Sequence, residues 1–210
     1  LNKDVPFDVA AMAEPLACAI HGIDRTDIIP GQTVLVIGGG AIGQLMIQLA
    51  KLKGASTAIL SEPIEMRRKI GLSVGADAAV DPIHEDLAQA IFQITGNEGT
   101  DCVIECVGNP KIAQQAIEMA GAGGTVVLFS VPPVEGTAPL PLFDVYKKEL
   151  TVRGSIINPD THQRAVNLIN SGRLEIEKLI THHYDLEHLE DAILMQMSSE
   201  SIKVVVHPQD

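Results

Sequence analysis

Two hydrophobic rhythms alternate along the chain. Short apolar runs at 33–37, 57–60, 78–80, 101–107, 125–129 and 150–153 read as strands. Between them, apolar residues recur at helical spacing. Ile42, Leu45, Met46, Leu49 and Ala50 share one face, and Lys51, Lys53 and Gly54 end that helix. A second helix spans 66–74 and stops at Gly75. Leu87, Ala88, Ile91 and Ile94 mark a third, closed near Gly96, and Ile112, Ala113, Ala116, Ile117 and Ala120 line a fourth. Turn signals such as Pro30-Gly31, Asp81-Pro82 and Gly108-Asn109-Pro110 separate the elements, and a proline-rich connector leads to a short helix at 142–149. Strands alternating with helices predict a parallel sheet with right-handed crossovers. About six strands in two halves predict an α/β, doubly wound parallel sheet, the Rossmann fold, over 23–157. The rhythm stops on both sides. Residues 1–22 hold a turn at Pro6 and an alanine-rich helix carrying Glu14-Pro15-Leu16. Residues 158–210 hold two further helices, one with Ala165, Leu168 and Ile169, one with Leu189, Ala192, Ile193, Gln196 and Met197, then a small strand at 203–206.

The junction of the first strand with the first helix carries the chemistry. Val34-Leu35-Val36-Ile37 runs into Gly38-Gly39-Gly40-Ala41-Ile42-Gly43. In a G-x-G-x-x-G turn, Gly38 allows the sharp bend, Gly40 clears space for a pyrophosphate, and Gly43 lets the helix press against the strand. The helix N-terminus presents unpaired amides and a partial positive charge to phosphate. An acid closes the next strand: Glu62 follows Gly43 by 19 residues, where a carboxylate receives the ribose hydroxyls. It would repel a 2′-phosphate and favours NAD over NADP, whereas Arg67 is a cation on the opposite side of that argument. A methyltransferase also uses a glycine turn and a second-strand acid, but many carry an acid just before the glycines, and here that stretch is apolar.

Composition narrows the partners. Hydrophobic residues make up 46% of the 210, enough for a sizeable core, and with aromatics at 3% the packing must be built from small aliphatic side chains. A net charge of −12 argues against nucleic acid or an anionic membrane as a partner. No apolar run is long enough to span a bilayer. Cys18, Cys102 and Cys106 form no disulfide framework, consistent with a cytoplasmic protein. Cys102 and Cys106 lie about 13 Å apart along a strand, too far to share a zinc with bonds of about 2.3 Å. They read as small buried hydrophobes. His21, His182 and His183 read as structural or interface residues.

Three separated stretches carry a family resemblance: Ala13-Glu14-Pro15-Leu16-Ala17-Cys18-Ala19-Ile20-His21, the glycine turn, and Lys148-Glu149-Leu150-Thr151-Val152-Arg153-Gly154-Ser155. In this order they resemble the zinc-dependent medium-chain alcohol dehydrogenases, in particular the polyol branch of sorbitol, butanediol and threonine dehydrogenases. The resemblance covers essentially the whole chain but lacks the family's N-terminal catalytic domain, with its Cys and Gly-His-Glu ligands for zinc. The chain, which opens on Leu1, is therefore read as the cofactor-binding part. Its terminal segments, 1–22 and 158–210, would lead from and return to an absent GroES-like catalytic domain.

The resemblance implies roles. Ile42 would pack behind the nicotinamide ring. The carbonyls of Phe129 and Ser155 and the amide of Ile157 would meet its carboxamide. Lys203 would reach the phosphates, or else be a solvated lysine at a strand end. Glu14 would stand near or on the catalytic zinc, or else be a helix-start acid before Pro15. The implied activity is oxidation of a secondary alcohol or polyol by hydride transfer to NAD, assisted by zinc, in a homodimer or homotetramer pairing through 150–153 and the segment before it. Alone, this stretch is expected to turn nothing over. A zinc-free quinone or enoyl reductase of the same superfamily and a non-catalytic NAD-sensing module are the other readings; Glu14 and Glu62 speak against the first, and the two terminal segments against the second.

Overall fold

The computed structural model describes residues 1–96 and 98–208. Helices α1 (Phe7–Ala11) and α2 (Ala13–Asp24) open the chain. Then come β1 (Thr33–Ile37), α3 (Ala41–Lys53), β2 (Thr57–Ser61), α4 (Glu65–Ser73), β3 (Ala78–Val80), α5 (Leu87–Ile94), β4 (Thr100–Glu105), α6 (Pro110–Met119), β5 (Ala120–Leu128), α7 (Leu142–Lys148) and β6 (Thr151–Gly154). Helix α8 (His162–Ser171), β7 (Ile180–Asp185), α9 (Leu189–Met197) and β8 (Lys203–His207) complete it.

The six predicted strands form one sheet, all parallel, in the order β3-β2-β1-β4-β5-β6. The order reverses between β1 and β4, so a crevice opens beyond their carboxyl ends. Register sets what lines it, because Ile37 pairs with both Ser61 and Glu105. The glycine turn, Glu62 and Cys106 therefore stand abreast at the rim. Both sheet faces are covered, which is why the strands read as unbroken apolar runs. Val34, Val36, Leu60 and Ile104 face one core, with α2, α3 and α8; Leu35, Ile37, Ile59 and Val103 face the other, with α5 and α6.

The segments at both ends of the chain pack onto the sheet domain. From residues 1–22, Leu16, Ala17 and Ile20 of α2 are buried in its core with Leu45 and Met46 of α3. Residues 158–210 join the same core through Ala165 and Ile169 of α8. Thr161 Oγ1 donates to the Ala17 carbonyl at 2.7 Å, and Arg164 pairs with Asp24. Strand β7 has no counterpart in the apolar pattern. Its segment His182-His183-Tyr184-Asp185 is polar, and backbone pairing to β8 in a separate two-stranded parallel sheet holds it. Strand β5 begins five residues earlier than the apolar run implies, because Gly121, Gly123 and Gly124 hide the extended backbone from any propensity argument.

Helix α3 lies against the end of β1 because residue 43 has no side chain. A Cβ there would sit 1.8 Å from the Gly38 carbonyl oxygen. At Gly40, with φ −68°, a Cβ would meet nothing within 4 Å. We predict that Gly43→Ala costs about 3 kcal/mol or more in urea unfolding, whereas Gly40→Ala changes stability by less than about 0.5 kcal/mol.

The neighbouring rim acid, Glu105, is buried. Its Oε1 accepts the amides of Val107 and Gly108 at 2.6 and 2.8 Å, which shapes the turn after β4. Desolvation outweighs these bonds and raises its pKa above the usual carboxylate value. The folded state thus holds this proton more tightly than the unfolded chain does, and Glu105 weakens the fold increasingly as pH rises through its folded pKa. Glu105→Gln, which keeps the acceptor, should match or exceed the parent melting temperature at pH 7.5 and lose that advantage toward pH 4.5. If Glu105→Gln proved less stable at pH 7.5 than at pH 4.5, relative to the parent, this account would be contradicted.

Candidate cofactor site

The glycine turn is built by its neighbours. Gly38 adopts φ +101°, a left-handed conformation suited to glycine, and its amide donates to the Ser61 carbonyl at 2.8 Å. Glu62 is buried, and both of its carboxylate oxygens are engaged: Oε2 accepts the Gly39 amide at 2.6 Å and Oε1 the Ile64 amide at 2.9 Å. A Cβ on Gly39 would sit 2.8 Å from Glu62 Cγ, so the middle glycine makes room for the acid. Gln44, fully buried, donates from Nε2 to the carbonyls of Gly39 and Arg67, both at 2.9 Å, and ties the turn to α4. Gly40 is the N-cap of α3 and offers no side-chain cap. The first helical amide bond is Gln44 to the Gly40 carbonyl. The amides of Ala41, Ile42 and Gly43 therefore have no partner within the helix and aim outward.

Three clefts adjoin this turn and run into one another. The first, about 520 Å³, lies over Glu62, Pro63 and Arg67, between Ile83 and Ile112. The second, about 560 Å³, is centred on Gly40, Ala41, Ile42 and Gly43, and Gly40, Ile64, Arg67 and Cys106 line both. The third, about 350 Å³, holds Glu14, Phe129, Ser155, Ile156 and Ile157, and shares Ala41, Ile42 and Lys203 with the second. The result is a continuous trough: apolar walls and an acid at one end, unpaired amides in the middle, a mixed pocket at the other. Such a trough suits an adenosine, a pyrophosphate and a second ring in that order. The empty space above Gly40, which a Cβ would enter, is where a phosphate fits.

The sequence-predicted residues fall along this trough. Arg67 lines two clefts, but its guanidinium is turned to the C-terminal segment. Nε donates to the Ser201 carbonyl at 3.0 Å, and Nη2 to those of Ser198 and Ser201 at 3.0 and 2.7 Å. Lys203 is half-buried between the second and third clefts, and among the described residues its ammonium takes no hydrogen bond or ion pair. Ile42 is packed against the core and borders the same two clefts. Phe129, Ser155 and Ile157 come together in the third. Ile157 holds φ +48°, a strained conformation for a β-branched residue, while 67% exposed. The Ser155 hydroxyl oxygen is buried without a hydrogen-bond partner among the described residues. Ile64 and Gln44 were missed; a single isoleucine amide and a helix glutamine carry no sequence signal.

Glu14 is exposed on the first turn of α2 and borders the third cleft. Its Oε1 accepts from Cys18 Sγ at 3.2 Å and from Asn158 Nδ2 at 3.3 Å. Burial, with Glu14 beside it, pushes the Cys18 thiol up to about 11, so it stays protonated at neutral pH. Among the described residues no three-ligand cluster includes Glu14. This chain by itself offers a zinc one carboxylate there, short of the three protein ligands of an open zinc site. Cys102 is buried, with its thiol pushed up to about 12, and burial likewise raises that of the half-buried Cys106 at the trough floor. Adjacent His182 and His183 diverge: His182 Nδ1 lies 3.0 Å from Thr181 Oγ1, and His183 faces His207.

Known proteins are similar to this chain in sequence and fold. A family described as "Zinc-binding dehydrogenase" matches residues 41–171. An L-threonine 3-dehydrogenase from Thermococcus kodakarensis is 34% identical over 209 residues, covering 98% of this chain and 59% of that protein. A sorbitol dehydrogenase from Halalkalibacterium halodurans is 34% identical over 207 residues, covering 96% and 59%. A solved structure from Sinorhizobium meliloti, described as a zinc-binding dehydrogenase bound to NADP, is 40% identical with a TM-score of 0.91, covering 95% of this chain and 59% of that one. The chain thus spans 59% of the length of each of these relatives. The glycine turn opening onto an uncapped helix, the acid beside it and the match over 41–171 together place the chain in the zinc-binding dehydrogenase family.

Proposed function

We propose that the trough binds a nicotinamide dinucleotide and that the chain is the cofactor-holding portion of a dehydrogenase acting on a secondary alcohol of the polyol type. The observation that carries this reading is the continuous trough with unpaired α3 amides at its centre. The amides of Ala41, Ile42 and Gly43 and the ammonium of Lys203 neutralise the pyrophosphate. Ile83 and Ile112 sandwich the adenine. Ile42 backs the nicotinamide, while the Phe129 and Ser155 carbonyls and the Ile157 amide orient its carboxamide; the strained backbone at Ile157 holds that amide in place. A nicotinamide dinucleotide held by these residues would supply hydride chemistry at that end of the trough. Glu14, at the nicotinamide end, would lend one carboxylate to a zinc; among the described residues it belongs to no cluster of three ligands. The alcohol is selected mostly outside this chain, with Ile156 and Ile157 forming one edge of its pocket. By itself the chain is therefore inactive toward alcohols. Its unpaired thiols suit the reducing cytoplasm, and no helix among the described residues is long and apolar enough to cross a membrane.

The cofactor choice rests on Glu62 and Arg67. A 2′-phosphate would meet a buried carboxylate, and both guanidiniums nearby are engaged, Arg67 with the Ser198 and Ser201 carbonyls and Arg68 with Asp81 and the Glu62 and Pro63 carbonyls. NAD is therefore the proposed cofactor, although the relative from Sinorhizobium meliloti carries NADP. In a fluorescence titration NADH should bind about tenfold or more tightly than NADPH, and Gly40→Ala should weaken NADH by at least tenfold without unfolding the chain. Glu62→Gln should narrow the gap between the two cofactors. Equal affinity for NADH and NADPH would reject the NAD assignment, and unaltered NADH binding by Gly40→Ala would reject the trough.

We also propose that two copies pair along β6, in a homodimer or in the homotetramer built from it. This strand forms one edge of the sheet, with Val152 exposed on it and Val131, Val134, Phe143 and Tyr146 exposed nearby. Light scattering should give twice the chain mass or more, and Val152→Lys should shift the population to monomer. A strict monomer at high concentration would remove this interface.

A further inference from the structure

Away from the trough, Asp8, His183 and His207 converge. They come from three elements: Asp8 from α1, His183 from β7 and His207 from β8. The register explains the pairing of the histidines. His183 lies opposite Val205, so His207, two residues further along β8, shares its face. Helix α1 lays Asp8 over that face. His183 Nδ1 is 3.2 Å from His207 Nε2 and 3.4 Å from Asp8 Oδ2, and His207 Nε2 is 3.3 Å from Asp8 Oδ1.

These three separations discriminate between two arrangements. Charge-assisted hydrogen bonds between imidazolium and carboxylate close to about 2.7–2.9 Å, and both histidine–carboxylate contacts here are longer. In a tetrahedral site with metal–nitrogen and metal–oxygen bonds of about 2.0–2.1 Å, neighbouring ligand atoms stand about 3.3 Å apart. The two imidazole nitrogens match that edge at 3.2 Å, and Asp8 sets one carboxylate oxygen at a similar distance from each of them, 3.4 and 3.3 Å. The rings are tilted 33° with centroids 5.5 Å apart, so they are not stacked, and each turns one nitrogen toward the common centre. Two imidazoles and one carboxylate suit a divalent ion of the zinc, cobalt or nickel type, more than the oxygen-seeking magnesium or calcium.

We propose that Asp8, His183 and His207 form a binding site for one divalent transition-metal ion of the zinc type. Three protein ligands leave a fourth position for water. The ion joins residues near the two ends of the chain, and its effect is to clamp α1 onto the β7–β8 sheet. The site is independent of the cofactor trough, since it shares no residue with it.

The test uses the tag-free 210-residue chain, stripped with a chelator and titrated with Co²⁺. One equivalent should bind, with the visible absorption of tetrahedral cobalt, and Zn²⁺ should displace it. His183→Gln, His207→Gln and Asp8→Asn should each weaken binding by tenfold or more while keeping the far-ultraviolet circular dichroism and NADH affinity of the parent. Zinc should raise the melting temperature of the parent but of none of these variants. No saturable cobalt binding, or binding that survives all three substitutions, overturns the proposal. Loss of the cobalt band in Glu14→Ala, with retention in His207→Gln, would move the ion to the trough and overturn it as well.

Discussion

The close approach of α3 to the end of β1 is the constraint on which the rest depends. A helix can start this near a strand only if the residue facing the preceding carbonyl has no Cβ, and Gly43 meets that condition where any other residue would be 1.8 Å from an oxygen. Once α3 is seated, its first-turn amides point over the rim of the sheet, and its buried face, from Leu45 to Ala50, becomes the floor on which α2 and then α8 assemble. Core and ligand seat thus follow from one contact. The polar bonds that hold the turn are few and buried: Glu62 to Gly39 and Ile64, and Gln44 to Gly39 and Arg67. In a low-dielectric setting each is strong when made and costly when lost.

Electrostatics then sorts the trough. Its centre holds helix-dipole charge and the ammonium of Lys203, which has no partner among the described residues, whereas the end over Pro63 and Arg67 holds the Glu62 carboxylate that two amides stabilise. In a chain of net charge −12, a cofactor diphosphate would otherwise be repelled, and the amides of α3 provide a local reversal of sign. Arg67 shows why a cation's position in sequence is a poor guide to its use. It is close to the cofactor by chain distance, but three carbonyl contacts from 198–201 claim it, and it serves to fold the C-terminal segment over the middle cleft.

Much of this was legible in the sequence where local pattern and global fold agree. The six strands of the sheet, their parallel pairing and the acid after β2 follow from apolar periodicity and turn residues, which act over a few neighbours. What escaped is held by long-range contacts. The pairing of β7 with β8 is specified by backbone bonds between segments with no alternation to reveal it. The burial of α2 depends on α3 and α8, elements far along the chain, so its alanine-rich face looks, in sequence, like part of something else. At the trough, the glycines and Glu62 were singled out by type and spacing, and Lys203 by the family resemblance alone. That Gly39 exists to accommodate Glu62, and that Ile64 donates to it, depends on atomic positions that spacing does not encode.

The contact of Asp8 with His207 has a mechanical consequence. Two segments near opposite ends of the chain touch side by side, one from α1 and one from β8. Two parallel attachments act as a hinge with a single axis, whereas one attachment acts as a universal joint. Anything joined to this domain through both segments would be held at two points rather than one.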